Sequence, residues 1–512
     1  MGTTRREFIK NGTAAVAGTS IISATAPSMV FGINTKTGTN MDLKFFLEHF
    51  GVTENMIKTV MGEGLSKGGD YCDLYFQHSI SNYAVLQDNA VSRAYSNVNY
   101  GVGIRVLDGD QTGYSFCEEI SLEAMKSAAR TAAGIAQSSS SFKPVGIQEF
   151  VPKSYYPIEH KWEDVSIDTK IPYLQRLNEK LFAADKRIIK ATISFSDETS
   201  YILFANTDGR ITCDYRPMGA LSASCTAEQN GQKESAHDGV SGRWGREYLT
   251  NNLVDKLAKD IVAKTTMLFE AVKPKGGELP VVLAAGGSGI LLHEAIGHGM
   301  EADFNRKGIS IFSDKMNKKI AHDQVTIVDN GTNENLRGSL DIDDEGNPVE
   351  CTYMVKDGIL CSYLHDRLSA KHYGVKETGN GRRESFRHIP LPRMRNTYML
   401  PGTHTREDII ASVDYGIFCE SFSNGQVMIG AGDFTFYVKT GYLIEKGKLT
   451  TPIKDVNIIG NGPDSLSKIG MVGKDLEISH GTWTCGKDGQ GVPVSQGLPT
   501  VKVSSMTVGG VS

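Results

Sequence analysis

Two imidazoles and one carboxylate fall within six residues, at His293, Glu294 and His298. Neutral imidazoles are the usual nitrogen ligands of a zinc ion. A carboxylate beside them suits general acid–base work, taking a proton from an attacking water and returning it to a leaving group. The spacing sets a geometric problem. In the familiar H-E-x-x-H arrangement the histidines are four apart and share one helix face. Here they are five apart. On an ideal α-helix five residues turn the side chain by about 500°, leaving His298 about 140° from His293 against about 40° for a spacing of four. A regular helix cannot aim both rings at one point. Gly297 and Gly299 supply backbone freedom, so the stretch is expected to carry a π-type insertion or to break at its end.

Two ligands are too few, because a catalytic zinc takes three protein ligands and leaves a fourth position open. The best source of a third is Cys485, in the glycine-rich segment Thr484-Cys485-Gly486-Lys487-Asp488-Gly489-Gln490-Gly491. A thiolate suits zinc, although a cysteine in such a segment reads equally well as a small buried hydrophobe.

These residues resemble the TldD/PmbA metalloproteases, and within them the metal-bearing TldD-like branch. The resemblance rests on four segments in the same order: residues 289–299 followed by Glu301, Asp303, Phe304, Asn305 and Arg306; residues 378–385; residues 396–402; and the Cys485 segment, followed by Thr507-Val508-Gly509-Gly510. It implies that His293, His298 and Cys485 hold one zinc ion per chain and that Glu294 is the general base. It also implies hydrolysis of short or unfolded polypeptides held as extended strands, and a dimer, either of two copies or with a metal-less PmbA-like paralogue. The alternative in that family is a non-catalytic, peptide-binding partner subunit. The intact ligand set argues for the enzyme.

The 512 residues suffice for two or three domains. With 40% hydrophobic and 22% charged residues the composition is that of a soluble globular protein. A formal charge of −5 without a sustained basic run gives no sign of a nucleic-acid surface. The eight cysteines show neither C-x-x-C nor zinc-ribbon spacing, and no disulfide framework is expected.

At the amino terminus, Arg5-Arg6 precedes a short, mildly apolar stretch of small residues, the order of a twin-arginine export signal over residues 1–32. The reading implies a periplasmic protein; the alternative is a basic tail on a cytoplasmic one. No segment reaches the roughly 18 apolar residues of a membrane span.

Elements that must position the site follow from periodicity. Residues 41–67 read as helical, followed by strands near 73–76, 82–86 and 101–106, a helix capped by Ser121 and running to about 136, and a linker at 138–141. This makes an N-terminal α+β domain over 40–150. A central α+β domain over 154–272 has helices near 167–185 and 248–269 around strands at 190–195, 201–206 and 210–225. Residues 275–512 form a β-rich C-terminal domain around a single motif helix, so the whole is α+β. Gly286-Gly287-Ser288-Gly289 lacks the last glycine of a nucleophile elbow and the Lys-Ser/Thr of a phosphate loop. Residues 341–346 lack the closing glutamate of a calcium loop and read better as leading into a turn at 345–348. Arg382 and Arg383 form a pair that could hold a substrate carboxylate. Beyond that pair the substrate-binding residues are unknown.

Overall fold

Short amphipathic helices open the described part of the chain, which the computed structural model gives as residues 41–87, 89–135 and 145–510. The proposed signal and the serine linker lie outside these residues. The helix expected over 41–67 is two helices, Leu43–Phe50 and Glu54–Gly64. Gly51 stops the first by turning left-handed at φ 64°, and Thr53 caps the second by accepting from Met56 N. Ser121 caps Leu122–Ala133 as expected, accepting from Ala124 N. The central helices run Ile167–Ala184 and Asn251–Met267.

The strands are longer than the sequence pattern suggested. Tyr71–Gln87 and Ile188–Asn206 each run unbroken through two stretches that read as separate short strands, Ala90–Asp108 extends the strand read at 101–106, and Arg210–Gln229 extends the one read at 210–225. They lie in one sheet whose main path is Gln111–Cys117, Ala90–Asp108, Tyr71–Gln87, Ile188–Asn206 and Arg210–Gln229. Strands from both sides of the boundary expected near residue 150 thus share this sheet. Leu74, Phe76, Ala84 and Leu86 alternate along one face of Tyr71–Gln87, so every helix that packs here covers the same face. Phe46, Ile57, Val60 and Met125 cover one end, and Leu174, Leu177, Leu257 and Ile261 the other. Each fully buried side chain of this kind contributes about 1.5–3 kcal/mol, more than a helix cap at about 1 kcal/mol, so packing and not capping fixes these helices.

On the opposite face of the sheet, Tyr75 and Phe204 meet Phe386 of the C-terminal region. Arg105 is fully buried there between Asp73 and Glu345, and Arg216 bridges Asp214 and Asp344. The acidic run at 341–346 therefore serves as an internal salt-bridge partner, and the turn expected at 345–348 lies two residues earlier, where Gly346, at φ 74°, donates its N–H to Asp343 carbonyl oxygen.

Residues 277–510 build two large sheets and two two-stranded ones. In one large sheet, Tyr415–Met428 pairs with both Gly277–Leu283 and Asp433–Glu445, closing a ring through Val456–Asn461 and Val501–Gly509. The other runs Ile359–Leu360, Cys351–Lys356, Ile327–Asn330, Asn396–Met399, Ser495–Leu498 and Glu477–Ile478. Ile290, Leu291, Leu292, Ala295 and Ile296 are buried in the core that both sheets share. The motif helix is held by its apolar face. Short helices, among them Ala302–Arg306 and Arg367–Tyr373, accompany it. All eight cysteines are free thiols.

Candidate metal centre

The strand Gly277–Leu283 delivers the chain to Gly286, which turns at φ 86° into a helical start at residues 287–292. Gly289 is a close approach of backbone to backbone: a Cβ there would stand 2.6 Å from Gly497 N. His293–Gly297 then forms a single π-helical turn, in which His298 N–H donates to His293 carbonyl oxygen. This i→i+5 bond places His298 one turn below His293 and answers the spacing problem. The two rings stand 5.0 Å apart at 83°. Ser288 is buried, with its hydroxyl 3.5 Å from Cys419 carbonyl oxygen, and takes no part in the pocket.

The Cys485 segment is a two-stranded hairpin and not a loop. Thr484–Lys487 pairs with Gln490–Pro493, and Asp488 and Gly489 turn between them at φ 49° and 73°. An Asp-Gly pair with both residues at positive φ is the favoured two-residue hairpin turn. The hairpin brings Cys485 Sγ to 3.5 Å from His298 Nε2. Ligand atoms of His293, His298 and Cys485 all lie within 4.8 Å of one another, and all three residues are buried.

The donor set fits zinc. Zn–N bonds of about 2.05 Å and a Zn–S bond of about 2.3 Å at a tetrahedral angle put nitrogen and sulfur about 3.6 Å apart. The sulfur–His298 distance matches that edge. His293 is the ring free to close the remaining separation, since its Nδ1 has no hydrogen-bond partner among the described residues. Burial alone would raise the Cys485 thiol, but the His293 and His298 rings outweigh it and hold the thiol well below its usual range. That favours the thiolate a metal requires. Burial likewise opposes a charge on His298, and the Glu301 carboxylate and Cys485 reverse this, raising the imidazole well above its usual value.

Glu294 lines a cavity of about 140 Å³ together with the three ligands, Trp483 and Gln496. Every residue expected at the centre is therefore brought to one pocket. Arg382 and Arg383 are not. Arg382 is fully buried, donating to Met394 and Pro493 carbonyl oxygens, and Arg383 donates to Asp344 carbonyl oxygen and lies over the Tyr75 ring. Sequence shows a charge pair but not that both charges are spent inside the fold. Missed by sequence reasoning were Arg393, Lys487, Trp483 and the role of Glu301. Lys487 sits two residues from Cys485 on the same strand and Glu301 three from His298, which were usable signals; Arg393 offered none.

Beside the pocket, and sharing Trp483 with it, lies a larger cleft of about 460 Å³. Its walls come from the strand Gln232–Gly242, the helix Asn251–Met267, residues 420–423 and residues 477–483. Lys256 and Lys439 face it alongside Asp260 and Glu420.

Comparison with known proteins returns one family along the chain. Residues 72–136 match the PmbA/TldA metallopeptidase domain 1, residues 160–269 its central domain, and residues 276–510 its C-terminal domain. A protein of Haemophilus influenzae named a metalloprotease TldD homolog is 41% identical over 451 residues, covering 86% of this chain and 93% of its own length. A zinc metalloprotease TldD homolog of Saccharolobus solfataricus is 27% identical over 86% of this chain and 97% of its own. In fold, the crystal structure of TldE from Thermococcus kodakarensis superposes with a TM-score of 0.70 at 20% identity, over 89% of this chain and 99% of that one.

Proposed function

Since the chain belongs to the PmbA/TldD metallopeptidase family, we propose that it is a zinc-dependent peptidase hydrolysing short or unfolded polypeptides, with His293, His298 and Cys485 as ligands and Glu294 as general base. The observation that carries this reading is the convergence of Cys485 with a π-turned histidine pair nearly two hundred positions earlier, beside Glu294.

Zinc bound by these three residues supplies a Lewis acid and makes water a usable nucleophile near neutral pH. The chain's own groups do the rest. Glu294 takes the proton of the attacking water and returns it to the departing amine nitrogen. The Cys485 thiolate and the two imidazoles fix the ion's position on elements buried in the core. Trp483 stands between this pocket and the larger cleft, whose walls include strands with an open edge. Among the described residues Gln232–Gly242 pairs as a strand only with Arg210–Gln229, its far edge holding one bond from Ser241 N–H to His480 carbonyl oxygen, and Glu477–Ile478 pairs only with Ser495–Leu498. Open edges recognise an extended peptide through its backbone. Lining charges of both signs give little preference for one kind of side chain.

We further propose that the protein is exported to the periplasm through its amino-terminal arginine pair and acts as a dimer, of two copies or with a metal-less relative. Cell fractionation and light scattering of the purified protein read these two directly. For the activity, Glu294→Ala is expected to retain zinc and lose hydrolysis of an unstructured polypeptide; normal cleavage by that variant would remove Glu294 from the mechanism.

A further inference from the structure

Behind His298, away from the pocket, a carboxylate is buried among His298, Lys487 and Arg393. Glu301 is fully buried, and its Oε2 accepts from His298 Nδ1 at 3.0 Å. The same oxygen lies 3.2 Å from Lys487 Nζ. Its Oε1 lies 3.8 Å from Arg393 Nε. Lys487 and Arg393 both lead to the cysteine. Lys487 belongs to the strand that carries Cys485, and Arg393 donates to the carbonyl oxygens of Cys485 and Gln490, one on each strand of the hairpin. A second carboxylate, Asp303, accepts from Lys487 at 2.7 Å.

Isolating an ionised carboxylate from water is costly unless it is paired and hydrogen-bonded. Here Lys487, His298 and Arg393 supply that pairing. The arrangement has a geometric effect. In the neutral form that a metal binds, an imidazole that donates through Nδ1 presents Nε2 as its acceptor, and Nε2 is the atom 3.5 Å from the sulfur. The two salt bridges tie the hairpin to the same carboxylate. Glu301 is thus the group through which the His298 and Cys485 segments, distant in sequence, are held in register. His293, whose Nδ1 is unpartnered among the described residues, has no such tether.

We propose that Glu301 is the positioning carboxylate of this centre, orienting His298 and, through Lys487 and Arg393, the Cys485 hairpin, so that the ligand set is assembled before any metal arrives. The inference rests on the reading of His293, His298 and Cys485 as a zinc site. Orienting partners of this kind are typically worth 10- to 100-fold in metal affinity.

The test is zinc affinity, by competition with a chromophoric chelator on the folded full chain, together with the thiolate-to-cobalt charge-transfer band of the Co(II)-loaded protein. Glu301→Ala is expected to weaken zinc 10- to 100-fold and to shift or weaken the cobalt band. Glu301→Gln, which keeps an acceptor for Nδ1, should recover part of the loss. Lys487→Met should weaken zinc by a smaller factor, and the Glu301→Gln/Lys487→Met double variant should lose less than the product of the single losses, because each single change already removes the Glu301–Lys487 contact. Circular dichroism of the apo proteins separates these effects from unfolding, and Lys487→Met carries the test if neither Glu301 variant folds. Wild-type affinity and an unchanged cobalt band in the folded variants would overturn the proposal. Failure of the wild-type protein itself to bind zinc would instead overturn the reading of the site.

Discussion

Gly289→Ala is the substitution whose outcome the packing decides most sharply. In an exposed helix a Gly-to-Ala change stabilises by about 0.4–1 kcal/mol, because it removes disorder from the unfolded chain. At Gly289 the added Cβ would meet Gly497 N, C and Cα at 2.6, 2.8 and 2.9 Å. Those are backbone atoms of the strand Ser495–Leu498, which is held on both sides by pairing with Asn396–Met399 and with Glu477–Ile478. Ordinary contact begins at about 3.4 Å, so helix and strand must part by about 0.5–0.8 Å. Overpacking of this size costs about 1–3 kcal/mol, exceeding the entropic gain. The displaced helix also carries His293 and His298 away from Cys485 by more than the roughly 0.2 Å a metal site tolerates. Urea unfolding with chelator present should show Gly289→Ala about 1–3 kcal/mol less stable, and competition should show zinc affinity at least about tenfold weaker, equivalent to about 1.4 kcal/mol. Gly62→Ala, in the helix Glu54–Gly64 with nothing within 4 Å of its Cβ, is the control and should be neutral or slightly stabilising. If Gly289→Ala matched the control, the close approach that fixes the motif helix would be refuted.

Further outcomes test other parts of the account. Glu294→Ala should reduce kcat by about 10²- to 10⁴-fold with zinc content unchanged on elemental analysis. Arg105→Met leaves Asp73 and Glu345 buried without their shared partner and should cost about 3–5 kcal/mol in urea unfolding. His365 is buried and its imidazole is held down to about 4 by desolvation, which outweighs the opposing charge of Asp366. Its folded value lies below the unfolded one, so its contribution is complete above pH about 6.5 and is lost as pH falls toward 4. A His365→Gln variant should show a flatter decline in stability across that window than the wild type, measured by thermal unfolding at fixed ionic strength.

The chemistry-bearing residues were legible because spacing is a geometric statement. Histidines five apart cannot share a face of a regular helix, and that contradiction, with Gly297 between them, pointed to the π turn that His293–Gly297 adopts. The convergence of Cys485 was another matter. It depends on a hairpin and on the parallel pairing of Asn396–Met399 with Ser495–Leu498, contacts across about a hundred residues or more that no local pattern encodes, so only the resemblance reached it. Asp488-Gly489 did announce the hairpin turn, but the surrounding glycines masked it. The pair Arg382 and Arg383 shows the reverse case. Charge in a sequence says nothing of burial, and both guanidinium groups are consumed by carbonyl oxygens inside the fold. Strand lengths were underestimated where Ser and Asn interrupt the apolar alternation, as at residues 79–82, because there the sheet face is half-buried and tolerates polar side chains. Gly51 broke a helix that periodicity alone ran together.

Zinc K-edge X-ray absorption on the purified protein, paired with elemental analysis, addresses the central claim most directly. One zinc per chain, with a single sulfur neighbour at about 2.3 Å beside nitrogen or oxygen neighbours at about 2.0–2.1 Å, is the expected result, and Cys485→Ala should remove the sulfur shell. A stoichiometric zinc with no sulfur neighbour, or a Cys485→Ala protein with an unchanged spectrum, would contradict the assignment of His293, His298 and Cys485 as the metal centre.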